Sequence, residues 1–275
     1  MGAMKTTSSQ VALVTGASSG IGKATTLTLA DAGFTVIGTS RDTSRITPGN
    51  AMTFLDLDVT SDESVANVVE QVLDRFGRLD VLVNNAGIGA NGAAEEFSVA
   101  QTQNVFDVNV FGLIRMTKAV LPHMRTRGSG RIINVSSVAG FVPNPFMANY
   151  VATKHTVEGY SESLDHEVRE HGVRVLRVQP GPVNTPFDTN QVQADTPLAV
   201  YAHRRRVFED VMRESMRGGD DPAVVAKVIA AAATDPKPKL RYTAGLTAGR
   251  VSVLRRIAPA QAFDKSVRKL NRMAG

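Results

Sequence analysis

The sequence of 275 residues contains no cysteine, which excludes disulfide bonds and thiolate-bound metal sites. No apolar run approaches the roughly 20 residues that a membrane-spanning helix needs. The first ten residues lack the apolar centre of a signal peptide. Aromatic residues amount to 5%, and few of them lie among the basic residues, so we expect no nucleic-acid partner. From these absences we expect a cytoplasmic protein.

The composition that remains is that of an ordinary globular protein, with 43% hydrophobic and 21% charged residues. The formal net charge of +5 is unevenly distributed, since ten lysines and arginines stand against two aspartates from Asp235 to the end. The favoured interpretation of this basic region is a solvated helix face or a subunit contact. Attachment to an anionic membrane surface is the alternative.

Short apolar runs alternate with amphipathic stretches along most of the chain. Strands are predicted at 11–14, 34–39, 52–57, 81–83, 131–135, 173–178 and 241–245, and helices at 21–32, 61–76, 99–127 and 149–170. Such alternation indicates right-handed βαβ units. We therefore predict a single α/β domain with a Rossmann-type, doubly wound parallel sheet of about seven strands and helices on both faces.

The domain boundaries follow from the same pattern. We expect residues 1–9 to be a disordered N-terminus or a cloning remnant, and residues 10–245 to form the Rossmann domain. The stretch 185–219 is too long for a simple connection and is expected to be a functional insertion in the substrate region. Residues 246–275 are predicted to be a basic helical extension of the same domain.

This extension carries apolar residues at helical spacing on two short helices that break at Pro259. Stripes of this kind usually pack on their own subunit or on a neighbour. A surface contact with a membrane is the minority interpretation. The residues concerned are Val251, Leu254, Ile257, Phe263, Val267 and Leu270.

A glycine-rich turn joins the first strand to the first helix, with glycines at positions 16, 20 and 22. Glycine lets the backbone approach a pyrophosphate closely, and a helix N-terminus offers amide donors to that anion. The turn therefore predicts a dinucleotide site that includes Gly16, Ser18, Ser19, Gly20, Ile21 and Gly22.

Further motifs occur in a fixed order between residues 11 and 185. They are Asp58-Val59, Asn84-Asn85-Ala86-Gly87, Asn109 in a VNVFG segment, Ser136-Ser137, Tyr150 and Lys154 in a YxxxK segment, and Pro180 to Thr185. With these motifs the chain resembles the classical short-chain dehydrogenase/reductase family. The resemblance implies hydride transfer between a nicotinamide cofactor and a carbonyl or secondary alcohol, without a metal.

Tyr150 and Lys154 are four residues apart on a predicted helix, so their side chains share one face. A neighbouring ammonium favours the phenolate, and we expect it to lower the pKa of Tyr150 toward neutrality. The resemblance implies that Tyr150 transfers the proton, that Ser137 binds the substrate oxygen and that Asn109 anchors a water in a proton relay. The resemblance also favours Ser137 over Ser136, because the family's usual gap between the serine and the tyrosine is thirteen residues.

The resemblance also assigns cofactor contacts beyond the glycine turn. Those residues are Ser40, Arg41, Asp58, Val59, Asn85, Ala86, Gly87, Tyr150, Lys154, Pro180, Gly181, Val183 and Thr185. An acidic residue after the second strand usually accompanies NAD, whereas Ser40 and Arg41 can bind a 2′-phosphate. We therefore expect NADP(H) to be preferred, with NAD(H) as the alternative if a register error of one residue brings Asp42 to that place.

The expected substrate is a small apolar carbonyl or alcohol, because apolar residues flank the predicted centre. They are Ile88, Phe141, Val142, Phe146, Met147, Val183 and Phe187. The character is closest to 17β-hydroxysteroid and retinol dehydrogenases, which suggests a steroid, retinoid or xenobiotic ketone. A 3-oxoacyl-type reductase, a non-catalytic NADP-binding regulator and a cofactor-retaining epimerase or dehydratase remain as alternatives. We expect a homodimer or homotetramer. At Arg204 to Arg206 we expect a solvated helix face, with a clamp for a carboxylate as the alternative.

Overall fold

The structure, a computed structural model, describes residues 9–49, 52–187 and 191–273. The prediction for residues 1–9 therefore lies almost wholly outside the described residues. The fold prediction is confirmed, because seven parallel strands of the described chain form one sheet in the order β3-β2-β1-β4-β6-β7-β9. These strands are β1 (Val11–Val14), β2 (Thr35–Ser40), β3 (Met52–Asp56), β4 (Val81–Asn84), β6 (Gly130–Val135), β7 (Val173–Pro180) and β9 (Arg241–Ala244).

The helices cover both faces of this sheet. They are α1 (Gly20–Asp31), α2 (Asp62–Phe76), α3 (Val99–Phe106), α4 (Gly112–Arg127), α5 (Ala148–Val168), α6 (Ala202–Arg217), α7 (Pro222–Thr234), α8 (Leu246–Ile257) and α9 (Ala260–Leu270). Apolar residues of α2, α4 and α5 share a core with one face of the sheet. Those of α1 and α7 share a core with the other face.

Alternation along each strand explains how one sheet supports two cores. Leu13 and Leu82 point into the core under α2, α4 and α5, whereas their neighbours Val14 and Val83 point into the core under α1 and α7. Successive side chains of a strand lie on opposite faces. The central strands are consequently buried on both sides and read as continuous apolar runs.

Local signals place the helix ends. The Ser61 side chain accepts a hydrogen bond from the Ser64 amide at 3.2 Å, and Gly77 ends α2 with a left-handed φ of 67°, so the helix predicted over 61–76 is capped at both ends. The helix predicted over 99–127 is interrupted, because Asp107–Phe111 form a π-helical turn between α3 and α4. Such turns occur often at functional sites.

The predicted insertion contains its own structure. The two-residue strand β8 (Val192–Gln193) pairs in parallel with β5 (Ala90–Asn91), and α6 follows. The extension forms α8 and α9, with the break at Pro259 as predicted. Within the described residues, no helix is both long enough and apolar enough to cross a membrane.

Candidate active site

A cavity of about 1070 Å³ lies at the carboxyl ends of β1, β2, β4, β6 and β7. Ligands of open parallel sheets bind at this edge. The structure brings nearly all of the predicted site residues to its wall. These residues are Gly16, Ser18, Ser19, Gly20, Ile21, Ser40, Arg41, Asp58, Val59, Asn85, Ala86, Gly87, Ser137, Tyr150, Lys154, Pro180, Gly181, Val183 and Thr185.

Hydrogen bonds join the glycine turn to the segment after β4. The Thr15 hydroxyl accepts from the Asn85 and Ala86 amides at 3.0 Å each, and the Asn85 side-chain amide donates to the Thr15 and Gly16 carbonyls at 2.9 and 3.0 Å. A Cβ on Gly22 would lie 2.1 Å from the Gly16 carbonyl oxygen. Gly22 is thus required for packing of α1 against the turn. It was predicted to contact the cofactor directly, but it does not lie on the cavity wall.

The start of α1 fits an anionic group such as a pyrophosphate. Ser19 precedes the helix without capping it through its side chain, and the first turn carries no acidic residue. Gly20 has a left-handed φ of 51°, and a Cβ there would approach the Thr185 side chain at 3.1 Å. The turn therefore presents backbone amides and the helix dipole to the cavity.

The phenol of Tyr150 lies at the other end of the cavity, near the start of α5. Its ring contacts Phe187 edge-on, with the ring centroids 5.8 Å apart. Burial raises the pKa of Tyr150 to about 12, and a hydrogen bond from the Ser137 side chain opposes this rise. Ser137 in turn accepts from the Ala139 amide at 3.1 Å, which orients its hydroxyl.

Lys154 is buried one turn after Tyr150 and donates from Nζ to the Val135 carbonyl at 2.9 Å. Burial lowers the pKa of Lys154 to about 8, against the opposing charge of Glu158. The expectation that Lys154 lowers the pKa of Tyr150 is not met in this structure. The ammonium lies 5.7 Å from the centroid of the phenol ring, and both groups are desolvated.

Asn109 is buried in the π-helical turn and is not on the cavity wall. Its side chain accepts from the Ile88 amide at 2.8 Å and donates to the Ile88 carbonyl at 2.9 Å and to the Thr153 hydroxyl at 3.2 Å. These bonds fix the segment after β4 against α5, close to Lys154. The predicted water relay through Asn109 stays a prediction.

The end of the cavity opposite Tyr150 contains the candidate residues for selection between NADP and NAD. Ser40 is the last residue of β2, and both Ser40 and Arg41 lie on the wall. Asp42 is not part of that wall, and its carboxylate accepts from the Ser44 amide at 2.9 Å. The Thr60 hydroxyl and amide hold the pKa of Asp58 below its usual value, with a smaller contribution from the charge of Arg41.

The substrate end differs in part from the prediction. Ile88, Val142, Met147, Val183 and Phe187 line the cavity, but Phe141 and Phe146 do not. The Phe146 ring stacks on Phe208 of α6 with centroids 5.6 Å apart, and the Phe141 carbonyl accepts from Arg255 at 3.1 Å. Phe146 therefore attaches the insertion to the body, and Phe141 attaches the extension. Neither long-range contact could be predicted from neighbouring residues in the sequence.

Several wall residues were missed. They are Asn104, Val108, Pro143, Asn144, Gln191, Val211, Met212, Glu214, Ser215 and Met216. A usable signal existed for those on α6, because Phe208, Met212 and Ser215 recur at helical spacing within an insertion already expected to be functional. The tail residues Val251, Val267 and Leu270 also reach the wall.

A buried carboxylate fixes the insertion to the body. Glu96 accepts from the amides of Ala93 at 2.9 Å and Leu198 at 2.7 Å and pairs with Arg205. Burial raises the pKa of Glu96, but these donors outweigh burial and hold it below its usual value. The predicted solvated face is therefore wrong for Arg205, because its charge compensates a carboxylate that the fold removes from water.

A family model described as short chain dehydrogenase matches residues 10–196. The 3-ketodihydrosphingosine reductase of Bacteroides thetaiotaomicron is 44% identical over 182 residues, which cover 66% of this chain and 67% of that protein. The uncharacterized oxidoreductase YbbO of Escherichia coli is 34% identical and covers 92% of both chains. Retinol dehydrogenase 8 of Bos taurus is 36% identical, with 83% of this chain and 79% of that protein covered.

Solved structures agree with the fold. A short-chain dehydrogenase from Streptomyces avermitilis superposes with a TM-score of 0.82 at 35% identity, covering 96% of this chain and 98% of that one. A Burkholderia phymatum enzyme in complex with NAD has a TM-score of 0.79 at 25% identity, with 90% and 92% covered. A Burkholderia cenocepacia enzyme in complex with NADP has a TM-score of 0.76 at 25% identity, with 94% and 97% covered.

Proposed function

Because the chain belongs to the short-chain dehydrogenase family and is an oxidoreductase of that family, we propose that it transfers hydride between NADP(H) and an apolar ketone or secondary alcohol. The observation that carries this proposal is the meeting of Ser137, Tyr150 and Lys154 in one cavity with the glycine turn. The relatives add support for the substrate class, since their names refer to a sphingoid ketone and to retinol.

In this proposal the residues that would hold the dinucleotide are those of the cavity wall from Arg41 to Lys154. The start of α1 would bind the pyrophosphate, Asp58 and Val59 would contact the adenine, and Lys154 would bind the nicotinamide ribose. When bound, the nicotinamide supplies or accepts the hydride. The chain's own contribution is to hold these groups and to move the proton at the substrate oxygen.

The proton step follows from the environment of Tyr150. With its pKa raised to about 12 by burial, the phenol holds its proton throughout the neutral range and can donate it to a carbonyl oxygen. Ser137 donates a second hydrogen bond to the same oxygen and stabilises the charge that develops there. Lys154, with a pKa of about 8, is still charged at pH 7, and its Nζ donates to the Val135 carbonyl at 2.9 Å.

The proposed preference for NADP(H) is supported by the position of Arg41 and Ser40 on the cavity wall and by the engagement of Asp42 with Ser44. A guanidinium and a hydroxyl are donors that suit a 2′-phosphate, whereas a ribose hydroxyl needs an acceptor. Asp58 reduces this preference slightly, since its carboxylate lies near enough to interact with the Arg41 charge.

The assembly is also a proposal. We expect a homodimer or homotetramer through α3, α4 and α5, the helices that the family resemblance assigns to subunit contact. Phe111, at the junction with α4, is an exposed aromatic side chain on this surface, and its burial would contribute to the association.

The test is a panel of ketones with sphingoid, retinoid, steroid and 3-oxoacyl character, assayed with NADPH and with NADH. We expect NADPH consumption with the apolar ketones, and a fall in kcat of at least the ~10²-fold typical of a lost acid group in Tyr150→Phe, while NADPH binding is retained. Tyr242→Phe, on the edge strand β9, is the matched control. A preference for the 3-oxoacyl substrate would favour the alternative of a 3-oxoacyl-type reductase. Binding of NADPH without its consumption would favour the non-catalytic regulator.

A further inference from the structure

The outer face of α8 is apolar and exposed to solvent. Leu246, Val253 and Ile257 recur at spacings of seven and four residues and therefore share one side of the helix. Their side chains are exposed by 78%, 59% and 74% respectively. Leu254 of α8 and Leu270 of α9 are exposed as well, so these parts of the stripes do not pack on their own subunit, and the expected packing on a neighbouring subunit stays a prediction.

The opposite side of α8 is the one that packs on the body. Ala248 is buried there, and Val251 lines the cavity. Arg255 is attached to the Phe141 carbonyl and covers the Phe263 ring, with its guanidinium carbon 4.8 Å from the ring centroid. These contacts hold one side of α8 against the body, so its apolar side faces outward in the folded chain.

Basic residues surround this apolar face. Residues 246–275 contain seven lysines and arginines and one aspartate. Arg250 and Arg256 are exposed on α8 beside the apolar stripe, and Lys265 and Lys269 are exposed on α9. A second copy of this segment would meet the face with the same positive charge, which disfavours self-association there.

We propose that α8 and α9 dock this chain on the surface of an anionic phospholipid bilayer. Leu246, Val253 and Ile257 enter the region between headgroups and acyl chains, and the basic residues pair with the lipid phosphates. The chain stays on the surface. A second copy of this chain lacks the complementary charge that an anionic membrane supplies.

The docking face adjoins the cavity. Val251 of α8 and Val267 and Leu270 of α9 are wall residues, so these two helices separate the cavity from the docked membrane. An apolar substrate that leaves the bilayer would enter the cavity beside Leu270, which is both exposed and a wall residue. This consequence rests on the proposed function, whereas the docking itself does not.

The test is co-sedimentation of the full chain with phosphatidylcholine vesicles, with and without phosphatidylglycerol, in the absence of cofactor and substrate. We expect binding to the anionic vesicles that weakens at high salt. Ile257→Gln should reduce the partition coefficient about tenfold, as expected for withdrawing one aliphatic side chain from an apolar phase. The matched control is Val200→Gln, because Val200 is 78% exposed and lies outside both the docking helices and the helices proposed for subunit contact.

A second pair of variants tests the charge. The double variant Arg250→Gln, Arg256→Gln should lose roughly thirtyfold in binding to anionic vesicles, and Lys227→Gln, Lys237→Gln should lose little. Melting temperatures equal to that of the native chain establish that the variants are folded. The proposal is overturned if the native chain does not sediment with anionic vesicles, or if test and control variants weaken equally. It is also overturned if Ile257→Gln changes the oligomer mass in ultracentrifugation while vesicle binding persists, since a second copy would then occupy the face.

Discussion

Lys154 is expected to reduce the stability of the cofactor-free protein at neutral pH, so Lys154→Met should stabilise the fold while abolishing activity. The change in the pKa of Lys154 from an ordinary 10.5 to about 8 corresponds to roughly 3 kcal/mol of cost to the charged form. The variant leaves the Val135 carbonyl without the Nζ donor, which costs about 1–2 kcal/mol. We therefore expect a net gain of roughly 1–2 kcal/mol at pH 7.

The dependence on pH gives the sharper test. Because folding lowers the pKa of Lys154 from 10.5 to about 8, the unfolded chain binds more protons between these two pH values. The stability of the folded chain is therefore highest above pH 10.5 and falls as the pH is lowered through about 8. Above pH 10.5 the neutral amine can still donate to Val135, and methionine cannot. The native chain should then be the more stable of the two by about 1–2 kcal/mol, so the difference reverses sign between these pH values.

The assay is urea unfolding of both proteins at fixed protein concentration at several pH values across this window, since association would add to the apparent stability. Lys227→Met, on the exposed side of α7, is the control and should show no such reversal. A difference between Lys154→Met and the native chain that is the same at both ends of the window would refute the assignment of Lys154 as a strained buried ammonium.

Three further predictions concern the nucleotide, the insertion and the assembly. Arg41→Ala should reduce kcat/KM with NADPH by roughly ten- to hundredfold, the effect of losing one hydrogen bond to a charged group, and barely change it with NADH; Ser40→Asp should reverse the preference. An unchanged coenzyme ratio in Arg41→Ala would instead identify Asp42 as the residue to test. Glu96→Gln should lower the free energy of unfolding by about 2–3 kcal/mol, because Arg205 loses its buried partner. The same variant should raise KM for the ketone without changing the affinity for NADPH in titrations. A higher Kd for NADPH would contradict this prediction. Light scattering should give the mass of a dimer or tetramer, and a concentration-independent monomer would count against the contact through α3 to α5.

The sequence alone determined the fold and most of the cofactor side of the site. Apolar runs such as 11–14 and 81–83 have the length and periodicity of buried strands, and Ser61 and Gly77 act through contacts a few residues away. These are local properties, so they can be read from neighbouring residues. The glycine turn and the Tyr150–Lys154 pair were recognisable for the same reason, since each acts within one turn of backbone.

Features that depend on distant parts of the chain needed the tertiary structure. The raised pKa of Tyr150 arises from burial by elements far from α5 in sequence, and the partner of Arg205 is Glu96, more than 100 residues away. The direction of the apolar stripe on α8 was likewise undetermined, because helical spacing shows that residues share a face and not what covers that face. Burial and long-range pairing are set by packing of the whole chain, and these are the properties that decide proton affinity, attachment of the insertion and surface contact in this protein.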